Sequence, residues 1–297
     1  MTKTDELIAY ISERHPMQSK YLAKVRNEMT DQDIEELGNV LDYFAEDHTI
    51  AEMGDAYLLF VEDTLAETKY FVENGSSRYR YSTLEDVIDQ VYSNKAYMEK
   101  YMLGLQVSGY LWENHRKILG YFRNVLKSTG GGHALEIGPG HGQYFAELIN
   151  QGAFEDYDAI DLSQTSLDMT ERFVKRFAKP AKYHLILDDI EKHDFGKSFD
   201  FIVMSEVLEH IEHPKAILQK LHELLSENGK LYLNVPINAP EIDHIYLYHS
   251  RDEVRELMAS CHFRICDEFV ATGNGKSVER AEKKKSAINF AFVAKKM

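Results

Sequence analysis

The fold of this chain is decided by the stretch LEIGPGHG, residues Leu135–Gly142. The apolar run Ala134–Ile137 predicts a short buried strand, and the amphipathic segment Tyr144–Ile149 predicts a helix behind the loop. Glycines at alternate positions suit a tight turn that brings backbone close to a ligand at a helix N-terminus. These are Gly138, Gly140 and Gly142. A plain tight turn also uses glycine, so the loop alone does not decide a function.

From residue 133 onward, strand and helix patterns alternate, which predicts a parallel sheet covered by helices. The first strand candidates are His133–Ile137, Tyr157–Asp161, Lys182–Leu187, Phe199–Met204 and Lys230–Val235. Helices are expected at residues 143–151, 164–177, 206–211, 214–226 and 250–260. Two final strands, Phe263–Val270 and Ile288–Ala294, are separated by a polar loop without a predicted helix, and such strands can pair antiparallel. We therefore predict a doubly wound, seven-stranded α/β sheet with an antiparallel terminal hairpin.

The first part of the chain has a different character. Residues 1–128 carry apolar positions at helical spacing almost throughout, for example from Leu37 to Phe44. The glycine-rich linker Ser128–Gly132 then separates this part from the rest. We predict an N-terminal all-helical cap domain over residues 1–128 and a second domain over residues 129–297.

Composition narrows the class of protein. The chain has 297 residues and a net charge of −15, which argues against nucleic acid as the main partner because phosphate binding relies on lysine and arginine. A membrane span needs a run of about 18 apolar residues, and none is present. The N-terminus lacks the apolar stretch of a signal peptide. We predict a cytoplasmic protein that binds neither membrane nor nucleic acid, and a homodimer is left open.

The glycine loop, preceded by an acid, resembles the first motif of class I S-adenosylmethionine (SAM)-dependent methyltransferases. The resemblance implies a Rossmann-like sheet that binds SAM along the carboxyl ends of its strands. Asp161 would bind the ribose hydroxyls; as an alternative it caps the next helix, although Ser163 also offers that. Asp189 would bind the adenine amine, and Ile190 would pack on the ring. The expected cofactor-binding residues are Glu136, Gly138, Gly140, Gly142, Gln143, Asp161, Leu162, Asp189, Ile190, Ser205, Glu206 and, from the helical part, Tyr97.

The end of the fourth strand, Ser205–Ile211, resembles the family's fourth motif in the form found in ubiquinone-pathway O-methyltransferases. On one helical turn, Glu206, Glu209 and His210 would share a face and could bind a divalent cation, with His244 or His249 as a fourth ligand. Many relatives carry the same string without a metal. A metal is therefore possible and not favoured.

The proline-punctuated stretch after the fifth strand overhangs the same sheet edge. A histidine beside an acid suits a general base near neutral pH, although such polar groups also tie down loops. Tyr97, Tyr101 and His115 of the helical part are candidates for a lid over SAM, where aromatic rings can face the positively charged sulfur, and core packing is the alternative. The candidate catalytic residues are His244, Asp243, Tyr246, His249 and Tyr101.

These observations predict a SAM-dependent methyltransferase with a small-molecule acceptor, methylated on oxygen or nitrogen, in a pocket enclosed by the helical cap and serving secondary metabolism. The first alternative keeps SAM and changes the chemistry: intramolecular cyclisation to azetidine-2-carboxylate with release of methylthioadenosine. The second is a non-catalytic SAM-binding scaffold, which would predict a damaged cofactor site. The identity of the acceptor lies beyond the sequence, because the helical half resembles the family only as a generic lid.

Overall fold

The computed structural model describes residues 2–297, apart from the side chain of Asn274. The N-terminal part is helical, as predicted. Its helices are α1 (Lys3–Arg14), α2 (Pro16–Glu28), α3 (Asp31–Phe44), α4 (Ile50–Glu73), α5 (Leu84–Val87), α6 (Lys95–Leu111) and α7 (Glu113–Leu126). Capping boxes at Thr2, Thr30 and Thr49 begin α1, α3 and α4, because each threonine and the acid three residues later satisfy each other's backbone N–H groups. A π-helical turn, Ile88–Tyr92, follows α5.

The remainder forms one seven-stranded sheet flanked by helices. The strands are β1 (His133–Ile137), β2 (Asp156–Asp161), β3 (Tyr183–Leu187), β4 (Phe199–Ser205), β5 (Leu225–Ile237), β6 (Phe263–Thr272) and β7 (Ile288–Lys296). The helices are α8 (Gln143–Gln151), α9 (Gln164–Phe177), α10 (Pro214–Leu224), α11 (Arg251–Ser260) and α12 (Val278–Lys283). The strand order is β3-β2-β1-β4-β5-β7-β6.

The pairing confirms the predicted doubly wound sheet. Strands β1–β5 pair in parallel, and β7 is antiparallel to β5 and separates it from β6. The order reverses between β1 and β4, and in an open α/β sheet ligands bind at such a reversal, outside the carboxyl ends of the strands. The central strands are buried on both faces, as parallel strands between helices require. The carboxyl edge near β1 and β4 is therefore where the site belongs.

Two sequence predictions are wrong in detail. The segment expected as a helix over 206–211 contains only a 3₁₀ turn, Leu208–His210, because Glu206 has a φ of 54° and cannot continue a helix. The connection between the last two strands was expected to lack a helix, but α12 lies within it, begun by the Ser277 cap.

Contacts divide the chain into two compact units. The helical unit comprises the residues up to Arg116 together with Pro240–Asp243 and Thr272–Lys276, and the sheet unit comprises Lys117–Ala239, His244–Ala271 and Ser277–Met297. Two short pieces of chain from the C-terminal half thus belong to the helical unit. Among the described residues, no helix combines the length and apolarity that crossing a membrane requires.

Candidate functional site

The glycine loop joins β1 to α8 in a backbone conformation that favours glycine. Gly138, Gly140 and Gly142 have φ values of 64°, 56° and 87°. A Cβ at Gly142 would lie 2.7 Å from the Thr170 Cα, so packing against α9 also excludes a side chain there. A Cβ at Gly140 would meet nothing within 4 Å. The loop therefore leaves open space above Gly140, where a ligand can approach the backbone.

Asp161 ends β2 beside this loop. Its Oδ1 accepts a hydrogen bond of 2.8 Å from the Ser163 N–H. Burial raises the pKa of Asp161, and hydrogen bonds from the backbone of Ser163, Gly140 and Leu162 oppose that rise. Ser163, not Asp161, caps α9 through its hydroxyl. The carboxylate thus connects the end of β2 to the glycine loop.

Two buried polar side chains stand next to the loop with unused hydrogen-bonding atoms. Glu136 is 2% exposed and Gln143 is 6% exposed. Within the described part of the chain, Glu136 Oε2 and Gln143 Nε2 have no hydrogen-bond partner. Burial, and then the negative charge of Asp161, raise the pKa of Glu136 well above its usual range. Buried polar atoms of this kind are expected to be satisfied by a polar ligand or by water.

The end of β3 offers acids beside apolar surface. Asp189 Oδ1 accepts from the Glu191 N–H at 3.0 Å, and its Oδ2 pairs with Lys192 Nζ at 2.8 Å. Ile190 is buried, whereas Leu162 and Leu187, at the ends of β2 and β3, are 66% and 51% exposed. Exposed leucines next to carboxylates suit a flat, hydrogen-bonding ring.

The comparisons with known proteins agree with this geometry. A family model described as a methyltransferase domain matches residues 112–269. That segment contains the glycine loop and β1–β5, and it covers more than half of the chain. The chain belongs to the class I SAM-dependent methyltransferases.

The curated relatives of this methyltransferase match only in part. A ubiquinone biosynthesis O-methyltransferase from Idiomarina loihiensis is 26% identical over 116 residues, 39% of this chain and 47% of that protein. A malonyl-[acyl-carrier protein] O-methyltransferase from Ilyobacter polytropus is 26% identical over 95 residues, 32% of this chain and 36% of that protein. The matched segment thus spans less than half the length of either relative. A solved structure titled [4+2]-cyclase SpnF has a TM-score of 0.50 at 14% identity, covers 61% of this chain and 80% of its own, and is similar in fold.

The residues at this edge fit SAM. The carboxylate of Asp161 suits a ribose diol, and the apolar surface with Asp189 suits adenine. The unused atoms of Glu136 and Gln143 suit an amino-acid end that carries both an ammonium and a carboxylate. When bound, SAM supplies a methyl group on a positively charged sulfur. The roles of these individual residues stay predictions.

The remaining predicted cofactor residues are Ser205, Glu206 and Tyr97. Ser205 ends β4, and its Oγ accepts a hydrogen bond from Asn234 Nδ2 at 3.3 Å. Glu206 is bound by side chains of β5 and β7. Tyr97 belongs to the helical unit, where its hydroxyl donates to Asp63 at 2.7 Å.

Glu209, His210 and His244 come together in the sheet unit. Glu209 is fully buried, and its Oε1 lies 3.8 Å from His210 Nε2 and 3.7 Å from His244 Nε2. One donor atom of each residue lies within 4.8 Å of the others. Glu206, the further ligand that the sequence suggested, is not part of this group, and its Oε1 accepts hydrogen bonds from Asn234 and Asn289. Two imidazoles and one carboxylate do not match the all-oxygen ligands that magnesium prefers.

The stretch 243–249 divides between the two units. His244 Nδ1 lies 2.7 Å from the Ala239 carbonyl, and the Tyr246 N–H donates to the Glu209 carbonyl at 2.9 Å. The backbone of His249 is also tied down, since its N–H donates to Glu253 and its carbonyl accepts from Asn238. These bonds support the alternative that the polar groups of this loop fix its conformation.

Asp243 and Tyr101, two of the candidate catalytic residues, meet in the helical unit. The hydroxyls of Tyr101 and Tyr92 donate to Asp243 at 3.4 and 3.2 Å. Burial and then the charge of Asp243 raise the pKa of Tyr101 well above its ordinary value, so this tyrosine stays protonated. His115 packs in the same unit against Trp112, and burial lowers its pKa to about 4. A neutral, partly buried imidazole of this kind supports the core-packing alternative.

Sequence reasoning missed the two asparagines that bind Glu206. Asn234 lies in the apolar run 231–237 of β5 and Asn289 lies in β7, and both are buried, at 3% and 6% exposure. A buried asparagine within an apolar strand needs partners for its amide, and this was the available signal.

Proposed function

We propose that this protein transfers the methyl group of SAM to a hydroxyl or amine of a small molecule. The observation that carries the proposal is the complete cofactor edge: the open glycine loop, Asp161, Asp189, and the unused polar atoms of Glu136 and Gln143.

A small acceptor is supported by charge. The net charge of −15 opposes binding to nucleic acid, whose phosphates require cations. The family match begins at Trp112 and so leaves out nearly all of the helical unit. We assign selection of the acceptor to that unit, with Tyr101 and Asp243 as the residues responsible. That this unit covers the site as a cap stays a prediction. A cytoplasmic location stays a prediction.

Methyl transfer of this kind is an in-line displacement at carbon. The protein has to align the nucleophile with the methyl group and keep water away. A hydroxyl or amine also has to lose a proton, so a nearby base contributes to the rate. The carboxyl groups and the histidine that could accept this proton include Glu206, Glu209 and His244.

The product of SAM distinguishes the proposal from its alternative. The purified protein is incubated with SAM, first alone and then with pooled phenols, alcohols and amines, and the nucleoside is identified by mass spectrometry. We expect S-adenosylhomocysteine, formed only when the pool is present. Methylthioadenosine from SAM alone would establish cyclisation instead, and unchanged SAM in both reactions would leave a binding protein without catalysis.

A further inference from the structure

Glu206 is held by two amides from neighbouring strands. Its Oε1 accepts a hydrogen bond of 2.7 Å from Asn234 Nδ2 on β5 and one of 3.0 Å from Asn289 Nδ2 on β7. The Glu206 N–H also donates to the Asn234 carbonyl at 3.0 Å. We call Glu206, Asn234 and Asn289 the carboxylate clamp. It fixes one oxygen of the carboxylate and thereby orients the other.

The second oxygen is left for a ligand. Among the residues that the structure describes, no donor is recorded for Glu206 Oε2, and the residue is only partly buried. The φ of Glu206 is 54°, a conformation that costs a non-glycine residue on the order of 1 kcal/mol or more. Such strain persists where the surroundings impose it, often in a functional site. The clamp is what imposes it here.

The clamp lies on one side of the point where the strand order reverses. The groups that fit SAM stand on β1, β2 and β3, whereas the clamp joins β4 to β5 and β7. Ligands bind at this carboxyl edge, and the cofactor residues account for one half of it. The clamp begins next to β1, since Met204 pairs with Ile137, and it faces away from β2 and β3 toward β5 and β7. We assign this part of the edge to the acceptor.

The surroundings set the charge of the carboxyl group. Tyr144 from α8 and Tyr232 from β5 are the titratable groups beside it, and both phenols have pKa values raised by burial first. The charge of Glu136 on β1 acts on Tyr144 as well. Burial raises the pKa of Glu206 to about 7, while the Asn289 and Asn234 amides oppose the rise. The carboxyl group can therefore gain and lose a proton near neutral pH.

We propose that Glu206 binds the nucleophilic group of the acceptor through Oε2 and accepts its proton during methyl transfer. The inference rests on the proposed function and narrows its substrate class. An acceptor hydroxyl or amine donates a hydrogen bond to Oε2 and is bound, whereas an acceptor carboxylate is repelled. In the reaction the S–CH₃ bond breaks, a C–O or C–N bond forms, and the proton of the acceptor moves to Oε2 and then to solvent.

The charge of the clamp is tested without an acceptor. The pKa of Glu206 is measured by ¹³C NMR on the protein labelled at its glutamate side chains. The Glu206 carboxyl signal is identified as the one that is absent from the spectrum of Glu206→Gln. We expect it to titrate near pH 7, and Asn289→Leu to raise the midpoint by at least half a unit because one donor is lost. If the leucine variant does not fold, Asn289→Ser is used instead. The serine side chain is too short to replace the 3.0 Å hydrogen bond from Asn289 Nδ2 to Glu206 Oε1. A midpoint unmoved by either variant overturns the role of the clamp.

Selectivity is tested with three benzene derivatives that carry a hydroxyl, an amine and a carboxylate: phenol, benzylamine and benzoate. Binding to the protein saturated with S-adenosylhomocysteine is measured by saturation-transfer NMR at pH 8. We expect phenol and benzylamine to bind at least tenfold more tightly than benzoate, and Glu206→Gln to remove that preference. The exposed Glu223→Gln is the matched control and should change nothing.

Equal binding of the three probes, no binding of any, or a preference that survives in Glu206→Gln would overturn the inference. The proposed function fails on a different result, namely no S-adenosylhomocysteine formed with any pooled acceptor. If methyl transfer is observed but the protein shows no preference among the three probes, the proposed function stands and only the role of Glu206 is refuted.

Discussion

The two halves of the carboxyl edge are built by different means. On the β1–β3 half, backbone conformation shapes the site. Three left-handed glycines form the loop, N–H groups hold Asp161, and exposed leucines lie at strand ends, with the buried side chains of Glu136 and Gln143 beside the loop. On the β4–β5–β7 half, buried side chains form it, with the carboxylate clamp as its centre. A surface shaped mainly by backbone conformation suits a ligand common to a whole family. A side-chain-built surface changes with single substitutions and suits the ligand that distinguishes one member.

The largest expected effect concerns the first half. Asp161→Ala should weaken binding of S-adenosylhomocysteine by more than about 100-fold, because a buried carboxylate that satisfies a ligand diol cannot be replaced by water at the same geometry. Isothermal titration calorimetry measures the affinity. Asp168→Ala, an exposed acid on α9, is the control and should bind normally. Retained micromolar binding in Asp161→Ala would refute the assignment of the ribose contact.

The glycine loop offers a matched pair of substitutions. Gly142→Ala should destabilise the protein by about 2–3 kcal/mol, because its φ is left-handed and the new Cβ would lie 2.7 Å from the Thr170 Cα. Gly140→Ala, with left-handed φ and open space, should cost about 1 kcal/mol. Urea unfolding gives both values. Equal losses of unfolding free energy in the two variants would show that backbone conformation alone, without packing against α9, explains the requirement for glycine in the loop.

The second half is tested by the pH dependence of stability. Because the pKa of Glu206 is about 7 in the folded protein, above the ordinary 4.5, its stabilising contribution is complete below pH 4.5 and is lost as the pH rises through 7. A glutamine at this position has no charge to bury at high pH. Glu206→Gln should therefore be more stable than the parent at pH 8 by about 1–2 kcal/mol, with little difference at pH 4.5. Denaturation at the two pH values measures this. A constant difference would contradict titration of Glu206.

The helical unit should respond more weakly. Tyr101→Phe removes one hydrogen bond to Asp243 and should cost about 1 kcal/mol of stability. Its affinity for S-adenosylhomocysteine should stay unchanged, while the KM for an acceptor, once one is identified, should rise. Weakened cofactor binding would mean that this unit serves both ligands.

The smallest expected effect is that of metal. Titration of MgCl₂ into the protein should give no heat, because two of the three residues in the cluster, His210 and His244, offer nitrogen and magnesium prefers oxygen ligands. A zinc titration with heat that His244→Ala abolishes would reverse the expectation that no metal is bound.

The backbone-built half was largely predictable from sequence. Strand periodicity located β1–β4 within one or two residues, and the spacing of the glycines located the loop, because both signals are local. The clamp was not predictable. It depends on the pairing of β5 with β7, which places Pro236 opposite Asn289 although they are 53 residues apart in the chain. It also depends on a left-handed φ at Glu206, and a glutamate gives no sequence signal for that conformation. The same φ is why the expected helix over 206–211 is absent.

Pro240–Asp243 belongs to the helical unit, although it lies far from that unit in the sequence. This limits how the unit that we propose to select the acceptor can be exchanged between relatives. A transplant of residues 1–116 alone would separate Tyr92 and Tyr101 from the carboxylate that they share. The module that can be moved is therefore discontinuous in sequence, and a functional chimera has to carry Pro240–Asp243 and Thr272–Lys276 with it.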